Sequence, residues 1–360
     1  MALDMFFLNP NLNRLDVLKR YGFQEADIAV WKQWLRSAED RELYQVNPRY
    51  LAEVLRWPLE RTLDALTAAI AEELWHLHWE VWCPVCGAAL EADDHLGEVA
   101  AHVHCPQCQA ESDVMLDQAV SVSMTVDSRL RRLRPARRDD PAFRQEVNAR
   151  LGRLPALYLI NRPLFRQVLG EQILPPAHSL GVDHLAVFFS DLKSSTLLYQ
   201  RLGDAAAFAL VREHFEVVFR AVEAHGGAAV KTMGDGVMGT FFDNAAALRG
   251  VMEAVRGLQA VNQRAGLQGD ERLRLKVGLY AGPCIVVTLN HRLDYFGSTV
   301  NIAARLSALA QGDEILLGET ILQQPEARDL VERSGSLTAL DTSLRGVLQP
   351  VPIYRLRLAA

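Results

Sequence analysis

Apolar positions along the chain recur with helical and strand periods, and the pattern changes near residue 182. Before it, DVLKRYGF, PRYLAEVLRW and LDALTAAIAEELWHLHW space their apolar residues three and four apart, as a buried helical face requires. Residues 81–120 interrupt this with two cysteine pairs, and QAVSVSMTV then reads as a strand. Residues 128–181 open on an arginine run, continue through one or two predicted helices, and end in ILPPAHSLGV, whose prolines and glycine mark a boundary. From Val182 strands and helices alternate. HLAVFFSDL is a buried strand, and TLLYQRLGDAAAFALVREHFEVVFRAVEAHGG reads as helices closed by Gly226 and Gly227. AAVKTMGDGVMGTFF is two short strands around a Gly-Asp-Gly turn. AALRGVMEAVRGLQAVNQRAG and STVNIAARLSALA are helices; LRLKVGLYAGPCIVVT, EILLGE and PVPIYRLRL are strands. The expected architecture is an α/β sandwich behind a mainly helical N-terminal region. Four segments result: a helical module at 1–80, a cysteine-built segment with β structure at 81–127, an Arg-rich linker and helical connector at 128–181, and the α/β domain at 182–357.

Composition narrows the class. The 360 residues suffice for two or three domains, and 49% hydrophobic with 23% charged residues is ordinary globular usage. A formal net charge of −6 gives no global attraction to nucleic acid or anionic membranes, so any such contact needs a local patch. No apolar run approaches the roughly 18 residues that span a bilayer. MALDMFFLNPNLNRLD carries Asp4 and no basic stretch before its apolar run, so it is not read as a signal peptide, and a cytoplasmic protein is expected.

Five cysteines, an odd number, point to reduced thiols, and four have metal-ligand spacing. CPVC (83–86) and CPQC (105–108) are separated by residues 87–104, as in a zinc ribbon with four cysteine ligands. Cys83, Cys86, Cys105 and Cys108 are therefore the expected ligands of one structural Zn²⁺, a staple for a module with little core. His95, His102 and His104 lie between the knuckles and could replace a cysteine. Cys284 sits on an apolar strand and reads as core. VNPRYLAEVLRWPLERTLDALTAAIAEELWHLHWE, just before the knuckles, resembles a winged-helix unit; such units bind DNA in some proteins and dock proteins in others. A regulatory module answering to a protein or ligand is expected. RLRRLRPARR holds six arginines, at 129, 131, 132, 134, 137 and 138, and reads as a solvated linker partly balanced by Asp139 and Asp140.

Two carboxylates carry the candidate chemistry. Asp191 ends the strand after VFFS, and Asp235 sits in the turn after AVKTM. A carboxylate at the mouth of an apolar strand is costly unless solvated, paired or bound to a cation. Two at neighbouring strand ends suit hard divalent cations with oxygen ligands. Ser194, Ser195 and Thr196 open a helix directly after Asp191, where free backbone N–H groups suit a phosphate. Gly234 and Gly236 free the turn around Asp235 and let a bulky ligand approach. Taken alone, each motif is also compatible with a helix N-cap or a plain hairpin turn.

In order and spacing, FFSDLKSST, VKTMGDGVMGTF and LDYFGSTVNIAARL resemble the metal motifs and closing signature of the class III nucleotidyl cyclases, over about residues 183–357. The resemblance implies that family's ferredoxin-like α/β sandwich. It implies two Mg²⁺ or Mn²⁺ ions held by Asp191, the Leu192 carbonyl and Asp235. It places Asn301 on the ribose, Arg305 on transition-state phosphate charge, and Lys231 and Asp294 at the purine. A Lys donor and an Asp acceptor complement adenine N1 and its 6-amino group, whereas guanine presents the reverse. Arg345 in SLRGV stands where the family commonly has a triphosphate-binding lysine, and a planar fork is not a point charge. VVTLN replaces a stretch that is often glycine-rich in the family.

In that family the metal carboxylates of one protomer face the base-reading residues of another. The chain has both sets, which implies a head-to-tail homodimer acting on ATP to give 3′,5′-cyclic AMP and pyrophosphate. Guanylate or dual-specificity cyclase, and a nucleotide-sensing nucleic-acid-binding regulator, are the alternatives.

Overall fold

The computed structural model describes residues 11–169, 174–175, 178–193, 195–289, 292–341, 344, 347 and 350–359. Two compact units divide the chain: Met1–Gly181 with Val286–Leu293, and Val182–Ile285 with Asp294–Ala360.

In the first unit a helix at Pro48–Leu55 starts where the Asn47 side chain accepts from Arg49 N–H at 2.9 Å, with Pro48 as its first residue. It ends at Arg56, which adopts a left-handed φ of 55°, and the chain turns into a second helix at Leu59–Ala71. Two helices joined by a turn thus occupy the segment that resembles a winged-helix unit. The second helix, however, is buried on most sides, including Leu63, Leu66, Ala68 and Ala69. Its remaining face is taken as well: Asp64 accepts two hydrogen bonds from Arg162, at 3.1 and 2.7 Å, and Glu60 accepts from Tyr158 at 3.0 Å. Little of this helix is left exposed apart from Arg61.

Strands β1 (Trp75–Trp82), β2 (Ala89–Asp93), β3 (His102–His104), β4 (Glu111–Asp113) and β5 (Val120–Val126) follow. They form one sheet in the order β2-β1-β5 and a separate β3-β4 hairpin. Alternation across the β1–β5 ladder sorts the side chains. Trp75, Trp79 and Val81 oppose Val126, Val122 and Val120 and are buried, while Glu80 opposes Ser121 on the other face.

The arginine run departs from the expected solvated linker. Arg131 is only 8% exposed, donating to Asp40 at 3.1 Å and to the Leu35 carbonyl. Arg134 reaches the same Asp40 at 3.2 Å, and Arg129 pairs with Asp127 at 2.8 Å. Asp40, itself 6% exposed, needs a cation to be buried at all, and the run supplies two.

The second unit is built on one sheet of strands in the order β12-β13-β11-β9-β6-β8-β7, with β10 against β9. Its members are β6 (Ser179–Leu192), β7 (Ala228–Met233), β8 (Gly236–Phe241), β9 (Leu275–Leu289), β10 (Arg292–Phe296), β11 (Glu314–Gly318), β12 (Gly335–Leu340) and β13 (Ile353–Leu358). β11 is parallel to β9, whereas β6–β8, β7–β8, β11–β13 and β12–β13 are antiparallel. Ile315 and Leu317 point into a core shared with helices Asp204–Ala224, Asn244–Arg264 and Pro325–Ser334. Leu316, between them, points the other way, to Ile302 and Leu306 of helix Ser298–Leu309. The unit is thus an α/β fold with helices on both faces of the sheet. Gly278 lets the last helix sit directly on β9: a Cβ there would lie 2.1 Å from Ser307 N and 2.3 Å from the Ala303 carbonyl. Among the described residues no helix is long and apolar enough to cross a membrane.

Candidate active site

Register brings the two acids together. In the β6–β8 ladder Ser190 faces Val237, so Asp191 falls opposite Gly236, the residue after Asp235. β7 and β8 close at Met233 and Gly236, leaving Gly234 and Asp235 as the hairpin turn. Gly234 adopts φ 62°, the left-handed first position that such tight hairpins reserve for glycine. Leu192 N–H donates to Asp235 Oδ2 at 3.3 Å. A Cβ on Gly236 would lie 2.8 Å from the Ser190 carbonyl and 3.9 Å from Asp191 Oδ1, so only glycine fits beside the acids. At Leu192 it is the N–H that meets Asp235.

Lys276 on β9 adds a residue that sequence reasoning misses: its Nζ donates to Asp191 Oδ2. LRLKVGLYAG reads as strand only, and a cation within it gives no sign of its partner. Two acids and one lysine leave a net negative site of hard oxygen donors, half exposed at Asp191, which fits divalent cations.

A second cluster lies on β7 and β10. Lys231 Nζ donates to Asp294 Oδ2, and the ammonium sits 5.9 Å from the Phe296 ring centroid. Asp294 is 7% exposed and its Oδ1 accepts from Tyr295 N–H at 2.8 Å, which fixes the carboxylate. Among the described residues no hydrogen bond or ion pair joins this cluster to Asp191 and Asp235.

Asn301 and Arg305 stand four apart on helix Ser298–Leu309, hence on one face of it. Asn301 is exposed, while Arg305 is half-buried and its Nη1 has no hydrogen-bond partner among the described residues. The start of this helix is tied to β9 by Thr299 Oγ1, which donates to the Pro283 carbonyl at 2.6 Å. Ser195 begins helix Ser195–Leu202. Ser194, the Thr196 side chain and Arg345 lie outside the described residues.

His214, on helix Asp204–Ala224, is also new. It is fully buried, neither ring nitrogen has a well-formed hydrogen bond among the described residues, and its ring lies 5.0 Å from that of Phe215. Burial pushes its imidazole down to about 4, against a weaker upward pull from Val211's backbone and the Asp191 charge. One signal was available: Val211, His214 and Val218 fall on the inward stripe of the helix.

The cysteine site in the first unit has its own geometry. All four Sγ atoms lie within 4.8 Å of one another, with Cys83 to Cys108 and Cys86 to Cys105 each 3.6 Å apart. A tetrahedron with zinc–sulfur bonds of ~2.3 Å has edges of ~3.8 Å, so the cluster fits that ion. Both knuckles fold alike. Cys83 N–H donates to the Ala88 carbonyl and Cys105 N–H to the Ala110 carbonyl, and the following Gly87 and Gln109 both take positive φ. The Cys86 backbone N–H, 3.5 Å from Cys83 Sγ, helps hold that thiol down at about 6, toward the thiolate a metal needs. His95, His102 and His104 are not in the cluster.

These observations meet the comparisons with known proteins. Residues 178–336 match the adenylate and guanylate cyclase catalytic domain. Residues 9–146 match a family of unknown function. An adenylate cyclase of Lachancea kluyveri is 29% identical over 167 residues, which are 41% of this chain and 9% of that protein. An uncharacterised protein of Mycobacterium tuberculosis is 31% identical over 195 residues, 54% of this chain and 45% of that one. The chain therefore spans less than half the length of either relative. Among solved structures, an adenylyl cyclase from P. aeruginosa is 24% identical with a TM-score of 0.44, covering 51% of this chain and 97% of that one.

Proposed function

We propose that the protein is an adenylate cyclase that converts ATP to 3′,5′-cyclic AMP and pyrophosphate at sites shared by two copies of the chain. The observation that supports this is that the two polar clusters, acids at the β6–β8 strand ends and the Lys231–Asp294 pair on β7 and β10, are each bonded internally and, among the described residues, not to each other. A nucleotide whose phosphates lie at one chain's acids has its base read by the other chain's pair. In a head-to-tail dimer both sites are then complete.

Asp191 and Asp235 would hold two divalent cations, Mg²⁺ or Mn²⁺, with the Leu192 carbonyl as a further ligand. Bound there, the cations supply acidification of the ribose 3′-hydroxyl and charge neutralisation on the triphosphate. The residues of the chain do the rest. Lys231 donates to adenine N1 and Asp294 accepts from the 6-amino group; their contact with each other keeps both at one place until a base takes over those hydrogen bonds. Asn301 orients the ribose. Arg305 Nη1, without a hydrogen-bond partner among the described residues, donates to phosphate oxygens as charge builds. Ser195, with Ser194 and Thr196, offers backbone N–H groups to phosphate at a helix start, and Arg345 is assigned to triphosphate oxygens. The zinc-bearing N-terminal unit is read as regulatory.

Purified protein given ATP or GTP with Mn²⁺ tests this. Cyclic AMP formed in preference to cyclic GMP is expected. Preference for GTP would move the protein to the guanylate cyclases, and no cyclic nucleotide from either would end the enzymatic reading.

A further inference from the structure

The polar face of the β2-β1-β5 sheet bounds a cavity of about 880 Å³ whose lining belongs entirely to the first unit. That volume is within the range of small-molecule sites. Glu80 and Trp82 of β1, Leu90 of β2, Arg144 and Ala149 of helix Pro141–Leu151, and Arg153 just beyond it contribute the walls.

Its polar groups are incompletely paired. Arg153 lies 3.5 Å over the Trp82 ring and donates to the Gly87 carbonyl at 3.2 Å, with no carboxylate partner among the described residues. Burial pulls its guanidinium below the usual range. Arg144 donates from Nη2 to Asp139 at 2.8 Å, but its Nη1 is buried without a hydrogen-bond partner among the described residues. Glu80 accepts from Ser121 at 3.3 Å and Ser123 at 2.5 Å, and burial raises its carboxyl pKa above the ordinary value. Trp82 is held in place by its own N–H, which donates to Ser121 at 2.7 Å.

A buried guanidinium nitrogen without an acceptor is costly unless something fills the role. We propose that this cavity binds a small organic anion: its acidic head is met by Arg144 and Arg153, and a flat apolar body lies along Trp82 and Leu90. The proposal does not depend on the cyclase reading, since none of these residues belongs to the second unit.

The test uses the zinc-loaded full chain and two probes, the aromatic anion 1-anilinonaphthalene-8-sulfonate and its uncharged relative N-phenyl-1-naphthylamine. Saturable binding of about one sulfonate per chain is expected, with the uncharged probe about tenfold weaker, the loss that a charge-assisted hydrogen bond carries. Arg144→Gln and Arg153→Gln should each weaken the sulfonate by about the same factor. Ala149→Trp, at an exposed position of the helix wall, should remove saturable binding while leaving the thermal melt unchanged. Equal binding of both probes, retained binding in Ala149→Trp, or no saturable binding by the wild type would each overturn the assignment.

Discussion

Leu192 and Asp235 are 43 positions apart, yet the Leu192 N–H reaches Asp235 Oδ2 at 3.3 Å. That hydrogen bond joins the end of β6 to the turn before β8 and sets one candidate metal carboxylate beside the other. Asparagine can accept the same hydrogen bond but has no charge to offer a cation. Asp235→Asn should therefore fold normally and lose turnover by about a thousandfold or more, on the order of 4 kcal/mol in the barrier. Turnover within tenfold of wild type in a Mn²⁺ assay would remove Asp235 from the chemistry.

Sharing of sites between two chains makes a sharper prediction. Asp235→Asn disables the metal side and Arg305→Ala the phosphate side, so neither variant alone should turn over ATP. Mixed and re-equilibrated in equal amounts, half the dimers are hybrids, each with one intact site and one doubly damaged site. About a quarter of wild-type activity should return. If the mixture stays dead while mixed dimers form, both residues act within one chain.

Gly278 controls where Asn301 and Arg305 stand. A methyl group at that position would collide with the backbone of the helix carrying them, at Ser307 N and the Ala303 carbonyl. Gly278→Ala should cost about 1–3 kcal/mol of stability and displace the helix. Turnover should fall more than substrate affinity, because Arg305 acts on charge that develops late. A melt and kcat unchanged from wild type would show that the helix is free to shift there.

Legibility in the sequence followed locality. The hairpin β7–β8, Asp235 in its turn and the helix of Asn301 and Arg305 are readable because their signals, a Gly-Asp-Gly turn and helical spacing, are short-range. β10 and β12 are not: RLDYF turns the acidic Asp294 inward, and GSLTAL shows no buried face. The clustering of Cys83, Cys86, Cys105 and Cys108 is legible from spacing alone. The Lys276–Asp191 contact is not, since it joins residues far apart in sequence and depends on which strands pair. The arginine run misleads because its buried partner, Asp40, lies some ninety residues earlier.

Metal removal should act on the first unit. β3 and β4 are three residues each, too short to hold a hairpin without help. Metal analysis of purified protein should give about one zinc per chain, and Cys105→Ser close to none. A chelator should then open residues 81–127 to protease while the second unit stays resistant. Zinc-free protein with an unchanged cleavage pattern would show that the four thiols hold the segment unaided.

His214 gives stability a pH dependence whose sign is fixed. Its folded pKa of about 4 lies below the ordinary 6.5, so between those values the unfolded chain binds a proton that the folded one refuses. Above pH 6.5 the residue contributes nothing to the slope; as pH falls toward 4 the folded state loses up to about 3 kcal/mol, and about 2 kcal/mol of that is gone by pH 5. His214→Phe cannot take up the proton in either state. The difference in urea unfolding free energy between pH 7.5 and pH 5 should shrink by about 2 kcal/mol in the variant. Asp191→Asn, which removes the carboxylate charge favouring the imidazolium, should leave His214 still harder to protonate and the wild-type slope no shallower. Parallel pH curves for wild type and His214→Phe would mean that the buried ring is hydrated or paired in solution.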